Sequence, residues 1–159
     1  MSALRIVFAD DRAVFSHDGV SYTVPVGVAT LTAMITTDPP LPEELTNAIG
    51  LFMDHLEDVD REVPGSAFAD EVEVCGAGLQ ALVDTEVGHA EALPCALTRD
   101  AVEEVFRTMA TEATADRLLN PGLPAGEVHR IVGVSCALVA VLRALQAPVL
   151  TVVAGSATP

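Results

Sequence analysis

Val24 to Leu45 reads VPVGVATLTAMITTDPPLPEEL, and this stretch decides the fold. It closes a strand, turns through Gly27 and opens two helices. Pro25 cannot donate to a strand ladder, so it suits a strand end or an edge. Val28 to Ile35 reads as a short helix, and Asp38-Pro39-Pro40 breaks the chain. Pro42 fits a first helical turn, where Glu43 and Glu44 favour the helix dipole. From there Leu45, Ile49, Phe52, Leu56, Val59 and Val63 fall on one helical face, which must be buried. Pro64-Gly65-Ser66 ends that helix.

Upstream, Leu4 to Ala9 and Arg12 to Ser16 read as strands, and Asp18-Gly19 is a hairpin turn. Val20 to Val26 alternates: Val20, Tyr22, Val24 and Val26 share one face, Ser21, Thr23 and Pro25 the other. Downstream, Glu71 to Cys75 reads as a strand, and Gly76-Ala77-Gly78 turns it into a short helix through Val83. Val87 to Pro94 is a loop, and Thr98 is a good N-cap for a helix to about Met109. Another short helix covers Thr111 to Leu118, followed by a break at Asn120-Pro121-Gly122. Ala125 to Gln146 reads as a long helix, apolar nearly all round from Ile131 and so central. Val149 to Val153 is a final strand.

Three consecutive strands, then helices alternating with single strands, predict an α/β domain with a mixed five-stranded sheet, βββ-α-β-α-β, and helices on both faces. That order resembles the one found in ribonuclease H-like domains, the halves of actin-like ATPase folds, and implies that fold by analogy. One domain is expected over residues 1–154, with 155–159 as a disordered tail.

The composition narrows the chemistry. The chain has 159 residues, a net charge of −15 and no lysine; its eight basic residues are arginines. Long-range repulsion disfavours nucleic acid, anionic membrane and polyphosphate as loosely held surface ligands. Without lysine there is no Walker A loop, no Schiff base and no lysine general base. Cys75, Cys95 and Cys136 are odd in number and lack a CxxC spacing, which argues against a disulfide framework or zinc site. Cys75 and Cys136 sit in apolar runs and are expected to be buried. The start of the chain carries no basic-plus-apolar leader, and Ile131 to Leu142 is too short to span a bilayer, so the protein reads as cytoplasmic.

Pro25, Gly27, Leu31, Thr32 and the run Asp38 to Leu45 resemble the second domain of the exopolyphosphatase/guanosine pentaphosphate phosphohydrolase (Ppx/GppA) family. Gly76-Ala77-Gly78 sits where that family has a glycine-rich turn, and Asn120-Pro121-Gly122-Leu123 before Ile131-Val132 resembles the step into its long helix. The order and spacing of these segments carry the likeness, which covers most of this chain but only half of a family member. The departures are specific. Where the family has a glycine-rich phosphate loop after the first strand, this chain has Ala9-Asp10-Asp11-Arg12. The family's Arg-Ala-Asp run corresponds to Val128-His129-Arg130. The resemblance does not extend to the family's first domain, whose absence is expected.

From the residues, Gly76, Ala77 and Gly78 are candidates to cradle a phosphate at a helix start, with Arg130 as its cation. Asp10 and Asp11 are candidate hard-oxygen ligands for a divalent metal. His55, among Asp54, Glu57 and Asp58, reads as a charged surface face. Ser135 lies inside the apolar helix with no base beside it and is expected to bond a carbonyl one turn back.

The resemblance beside the altered loop implies a non-catalytic or regulatory remnant. A lone half leaves its cleft-facing surface uncovered, so a homodimer or a protein partner is expected there. The alternative is a phosphoanhydride hydrolase, acting on polyphosphate or a guanosine polyphosphate through a cleft rebuilt in a dimer. Mg or Mn at Asp10 and Asp11 would then be required.

Overall fold

A computed structural model describes residues 2–155. The predicted disordered tail lies outside this range except for its first residue, Gly155. The chain begins with a meander of β1 (Ala3–Phe8), β2 (Ala13–His17) and β3 (Val20–Val24). The helices α1 (Val28–Ala33) and α2 (Pro42–Glu62) follow, and a 3-10 turn at Ser66–Phe68 leads into β4 (Glu71–Gly76). Then come α3 (Leu79–Val87), β5 (Cys95–Thr98), α4 (Arg99–Thr111), α5 (Thr114–Arg117), a 3-10 turn at Ala125–Glu127, α6 (Arg130–Leu145) and β6 (Val149–Val152).

The sheet has six strands in the order β3-β2-β1-β4-β6-β5, not the five expected. The added strand is β5, which pairs antiparallel with β6 at the sheet edge. It places a strand where the chain reads as the end of a loop and a helix cap. Thr98 serves as both: its hydroxyl accepts from Ala101 N at 3.1 Å while its backbone ends the strand. The pairs β1–β4 and β4–β6 are parallel, and the hairpins β1–β2 and β2–β3 are antiparallel.

The helices cover one face of this sheet, not both. On β1, Leu4, Ile6 and Phe8 are fully buried, whereas Ala3, Arg5 and Val7 on the opposite face are not. The register carries this division across: Ile6 lies beside Phe15 and Val74, and Arg5 beside Ser16 and Glu73. Leu97 and Leu150 continue the buried face, Ala96 and Thr151 the open one. Glu71 and Glu73 alternating with Val72 and Val74 are a half-solvated strand, unlike the continuous apolar run of a strand covered on both sides.

The core sits between the buried face and α6. Every residue from Ile131 to Leu142 is buried, as its all-round apolar character requires. α1, α2 and α4 pack around it. Phe52 of α2 fits between Phe8 and Phe15, with ring centroids 6.0 and 6.2 Å apart. Ser135 spends its hydroxyl on the Ile131 carbonyl at 2.6 Å, one turn back, as expected. Cys75 and Cys136 are buried, and burial pushes the Cys136 thiol up to about 12.

The start of α2 explains its Pro-Glu-Glu sequence. Glu44 accepts from the backbone N–H of Leu41 at 2.9 Å and of Thr36 at 2.9 Å, and from the Thr36 hydroxyl at 2.8 Å. One carboxylate thereby caps α2 and holds the loop after α1. The Leu41 and Thr36 amides together lower its pKa from 4.5 to about 2. A lowered pKa favours folding above the unfolded value, and that contribution is lost as the pH falls towards 2. Thermal melts of wild type and Glu44→Gln are therefore expected to differ in slope between pH 4.5 and 2. Wild type should lose stability more steeply there; parallel curves would contradict the capping role.

Candidate functional site at the carboxyl ends of β1 and β4

Ligands of open sheets with parallel strands bind beyond the carboxyl ends of those strands. Here β1 and β4 run parallel with Phe8 opposite Gly76, so both strands leave the sheet together. Ala9 to Arg12 turns after β1, closed by Ala9 N donating to Arg12 O at 2.8 Å. Gly76 to Gly78 turns after β4, and the first residues of α1 and α6 reach the same place.

The start of α1 is occupied by the protein itself. Val28 N donates to Ala9 O at 3.0 Å, and Ala29 N to Asp10 O at 2.9 Å. This approach requires glycine at position 27, where a Cβ would lie 2.4 Å from both Asp10 O and Arg12 N. The Val26-Gly27 step of the Val24 to Leu45 stretch thus seats a helix on the β1–β2 turn, and carbonyl oxygens take the amides that an anion would need.

The glycine turn after β4 is similarly committed. Gly76 has φ +110°, and Ala77 N donates to Phe8 O at 2.9 Å. Gly78 has φ +78° and begins α3. It lies against α6, where a Cβ would be 3.3 Å from Val134 Cβ and 3.6 Å from Arg130 Cγ. A pocket of about 220 Å³ beside Gly76, Leu79, Gln80 and Val153 carries no charged group.

Arg130 stands at the first turn of α6. Its Nε donates to Glu127 Oε2 at 2.8 Å and its Nη2 to Glu127 Oε1 at 2.5 Å, a forked pair. Nη1 reaches Asp10 Oδ1 at 3.3 Å. The Glu127 carboxylate, and to a lesser extent Asp10, holds the guanidinium above its ordinary pKa. Asp11 turns to solvent beside Arg12, 3.4 Å away.

Of the residues singled out in the sequence, Asp10, Gly78 and Arg130 come together, while Gly76 and Ala77 are engaged with the end of β1. Asp10 and Asp11 gain no further ligand: among the described residues no group of three or more His, Cys, Asp or Glu is placed to hold a metal. His55 lies 4.0 Å from Asp58 on α2, and His129 is the residue before α6. Glu127 went unnoticed in the sequence, although its spacing of three from Arg130 was a legible signal.

A second arginine, Arg117, is 3% exposed and ties this end of the molecule together. It donates to the carbonyls of Val128 and, at 3.2 Å, Glu112, and lies 3.7 Å from Asp38. Asp38 in turn accepts from Thr114 N at 2.7 Å. The Asp38-Pro39-Pro40 break is therefore an anchor for α5 and for the approach to α6. Among the described residues no helix is long and apolar enough to cross a membrane.

No protein-family model and no curated protein matches the chain. Solved structures do match. The Aquifex aeolicus Ppx/GppA phosphatase superposes with a TM-score of 0.83 at 15% identity, over 96% of this chain and 53% of its own. An exopolyphosphatase-like protein gives 0.84 at 14% identity, over 95% of this chain and 55% of its own. An exopolyphosphatase from Cytophaga hutchinsonii gives 0.78 at 14% identity, over 95% and 52%. The chain spans about half the length of the solved structures it matches. The resemblance carried by Val24 to Leu45 thus holds at the level of architecture: this chain has the ribonuclease H-like fold of one half of a Ppx/GppA phosphatase.

Proposed function

We propose that this chain is a non-catalytic half of the phosphatase fold that acts by association, as a homodimer covering the mouth, the surface at the carboxyl ends of β1 and β4 around Asp10, Gly78 and Arg130. One observation carries the first part. All eight arginines lie within 4.0 Å of a carboxylate of the same chain, from Arg5 with Glu73 to Arg143 with Glu103. The cation that a polyphosphate or guanosine polyphosphate needs is already neutralised, Arg130 at the mouth included. Leu118 and Leu119 support association. They follow α5 directly and are 47% and 79% exposed, and Arg117 of α5 is bonded to the Val128 carbonyl just before α6. Exposed apolar pairs beside a mouth are what a protein partner covers.

Phosphate release from polyphosphate and guanosine pentaphosphate, with Mg or Mn supplied, is the direct test. No turnover above buffer is expected. Metal-dependent release abolished by Asp10→Ala would overturn the proposal and establish the hydrolase reading, with the glycine turn and Asp10 in a cleft rebuilt by the dimer. Light scattering at micromolar concentration is expected to give a dimer that Leu119→Glu converts to monomer. A monomeric wild type would remove the association half of the proposal.

A further inference from the structure

Two cavities larger than the one beside Gly76 lie at the opposite end of β1 and β4 from the mouth. One, of about 670 Å³, runs along α2 past Gly50, Met53, Glu57 and Asp60 and is floored by Leu4 and Leu145. The other, of about 740 Å³, passes over β4 and β6 beside Glu71, Glu73 and Thr151. Both are lined by Ser66, Ala67 and Leu145, so they meet at the 3-10 turn before β4. Phe68, the last residue of that turn, is 88% exposed, more than any other large hydrophobic residue among those described.

Six carboxylates line the two cavities and no basic side chain does. Asp54, Glu57 and Asp60 on the α2 side make no ion pair among the described residues. From Gly50 to Asp60 the α2 wall extends about 15 Å at 1.5 Å per residue, three helical turns. An apolar floor of that length with carboxylates on its rim matches a helix carrying an apolar stripe between basic residues. An exposed aromatic ring at its edge attracts a cation over its face.

We propose that this groove binds a basic amphipathic helix of another protein, with Phe68 as a contact at its edge, next to Ala67, which lines both cavities. Apolar side chains of the incoming helix enter beside Met53 and Leu145, and its Lys or Arg residues meet Glu57, Asp60 and the Phe68 ring. A second copy of this chain does not fit, because it has no lysine and all eight of its arginines are already paired. The site is independent of the mouth and of the dimer proposed there.

A labelled three-turn peptide of alternating Leu and Lys faces, titrated with the full chain and followed by anisotropy, tests this. Saturable binding is expected, weakened about tenfold or more by Phe68→Ser and by Glu57→Gln with Asp60→Asn. Exchanging the peptide's leucines for serine should weaken it as much. Glu104→Gln, an exposed acid on α4, should leave the affinity unchanged, which separates the groove from general acidity. No binding at millimolar peptide, or equal affinity for wild type and Phe68→Ser, overturns the proposal. Self-association abolished by Phe68→Ser would assign the groove to a second copy and overturn it as well. These substitutions are on the surface, and unchanged melting temperatures would show that they leave the fold intact.

Discussion

Gly76→Ala is expected to destabilise the protein by about 4 kcal/mol, among the larger effects a single methyl can have. Two costs combine. The φ of +110° is one that L side chains rarely adopt. The new Cβ would also lie 2.1 Å from the Phe8 carbonyl oxygen and 3.0 Å from the Phe8 carbon and nitrogen. Those atoms belong to the centre of the sheet and have nowhere to go, because Phe8 O also accepts from Ala77 N. For a domain of this size the melting temperature should fall by roughly 8–16 °C. Gly88→Ala is the control. Its φ is +91°, but nothing lies within 4 Å of the added carbon, so it isolates the backbone cost of about 1 kcal/mol. Equal melting temperatures for the two variants would show that the β1–β4 junction yields more readily than its contacts indicate.

Arg117→Met should cost about 3 kcal/mol by thermal or urea unfolding, although it exchanges a charged side chain for an apolar one of similar length. The guanidinium is buried, and burial itself lowers its pKa, with Asp38 and Glu112 acting in the opposite sense. Removing it leaves the Val128 and Glu112 carbonyls without their donor in a buried place. Each orphaned acceptor costs about 1–3 kcal/mol. Asp38→Asn should cost less than about 1 kcal/mol. The Asp38 side chain is half exposed, its Arg117 contact is 3.7 Å long, and an amide oxygen still accepts from Thr114 N. If Asp38→Asn proved as costly as Arg117→Met, the ion pair rather than the carbonyl bonds would be the source of the stability.

Much of this architecture is legible in single residues. Asp18-Gly19 fixes the β2–β3 hairpin, the Leu45 to Val63 stripe fixes α2, and the unbroken apolar run from Ile131 fixes α6 as the central helix. β5 was hidden because it is four residues long, follows a proline and buries only Leu97. The open sheet face is legible in the alternation of Glu71, Val72, Glu73 and Val74, the pattern of a strand covered on one side only. At the mouth, Glu127 and Arg130 are neighbours on one helical turn, whereas Asp10 and Arg130 are joined only by the fold. No local pattern announces a contact between the β1–β2 turn and the start of α6. Arg117 gave no signal at all, since a lone arginine in a short polar helix reads as surface.

The position of β6 has a consequence for how the chain is made. β6 follows all the other strands in sequence, yet it lies between β4 and β5. During synthesis β1 to β4 can assemble as they emerge, but β5 has no neighbour to pair with until β6 arrives. Until then the sheet has an open slot between β4 and β5. Non-local closure of this kind is slow and leaves strand edges exposed while it waits. The interval before β6 pairs with β4 and β5 is therefore when this chain is most exposed to mispairing.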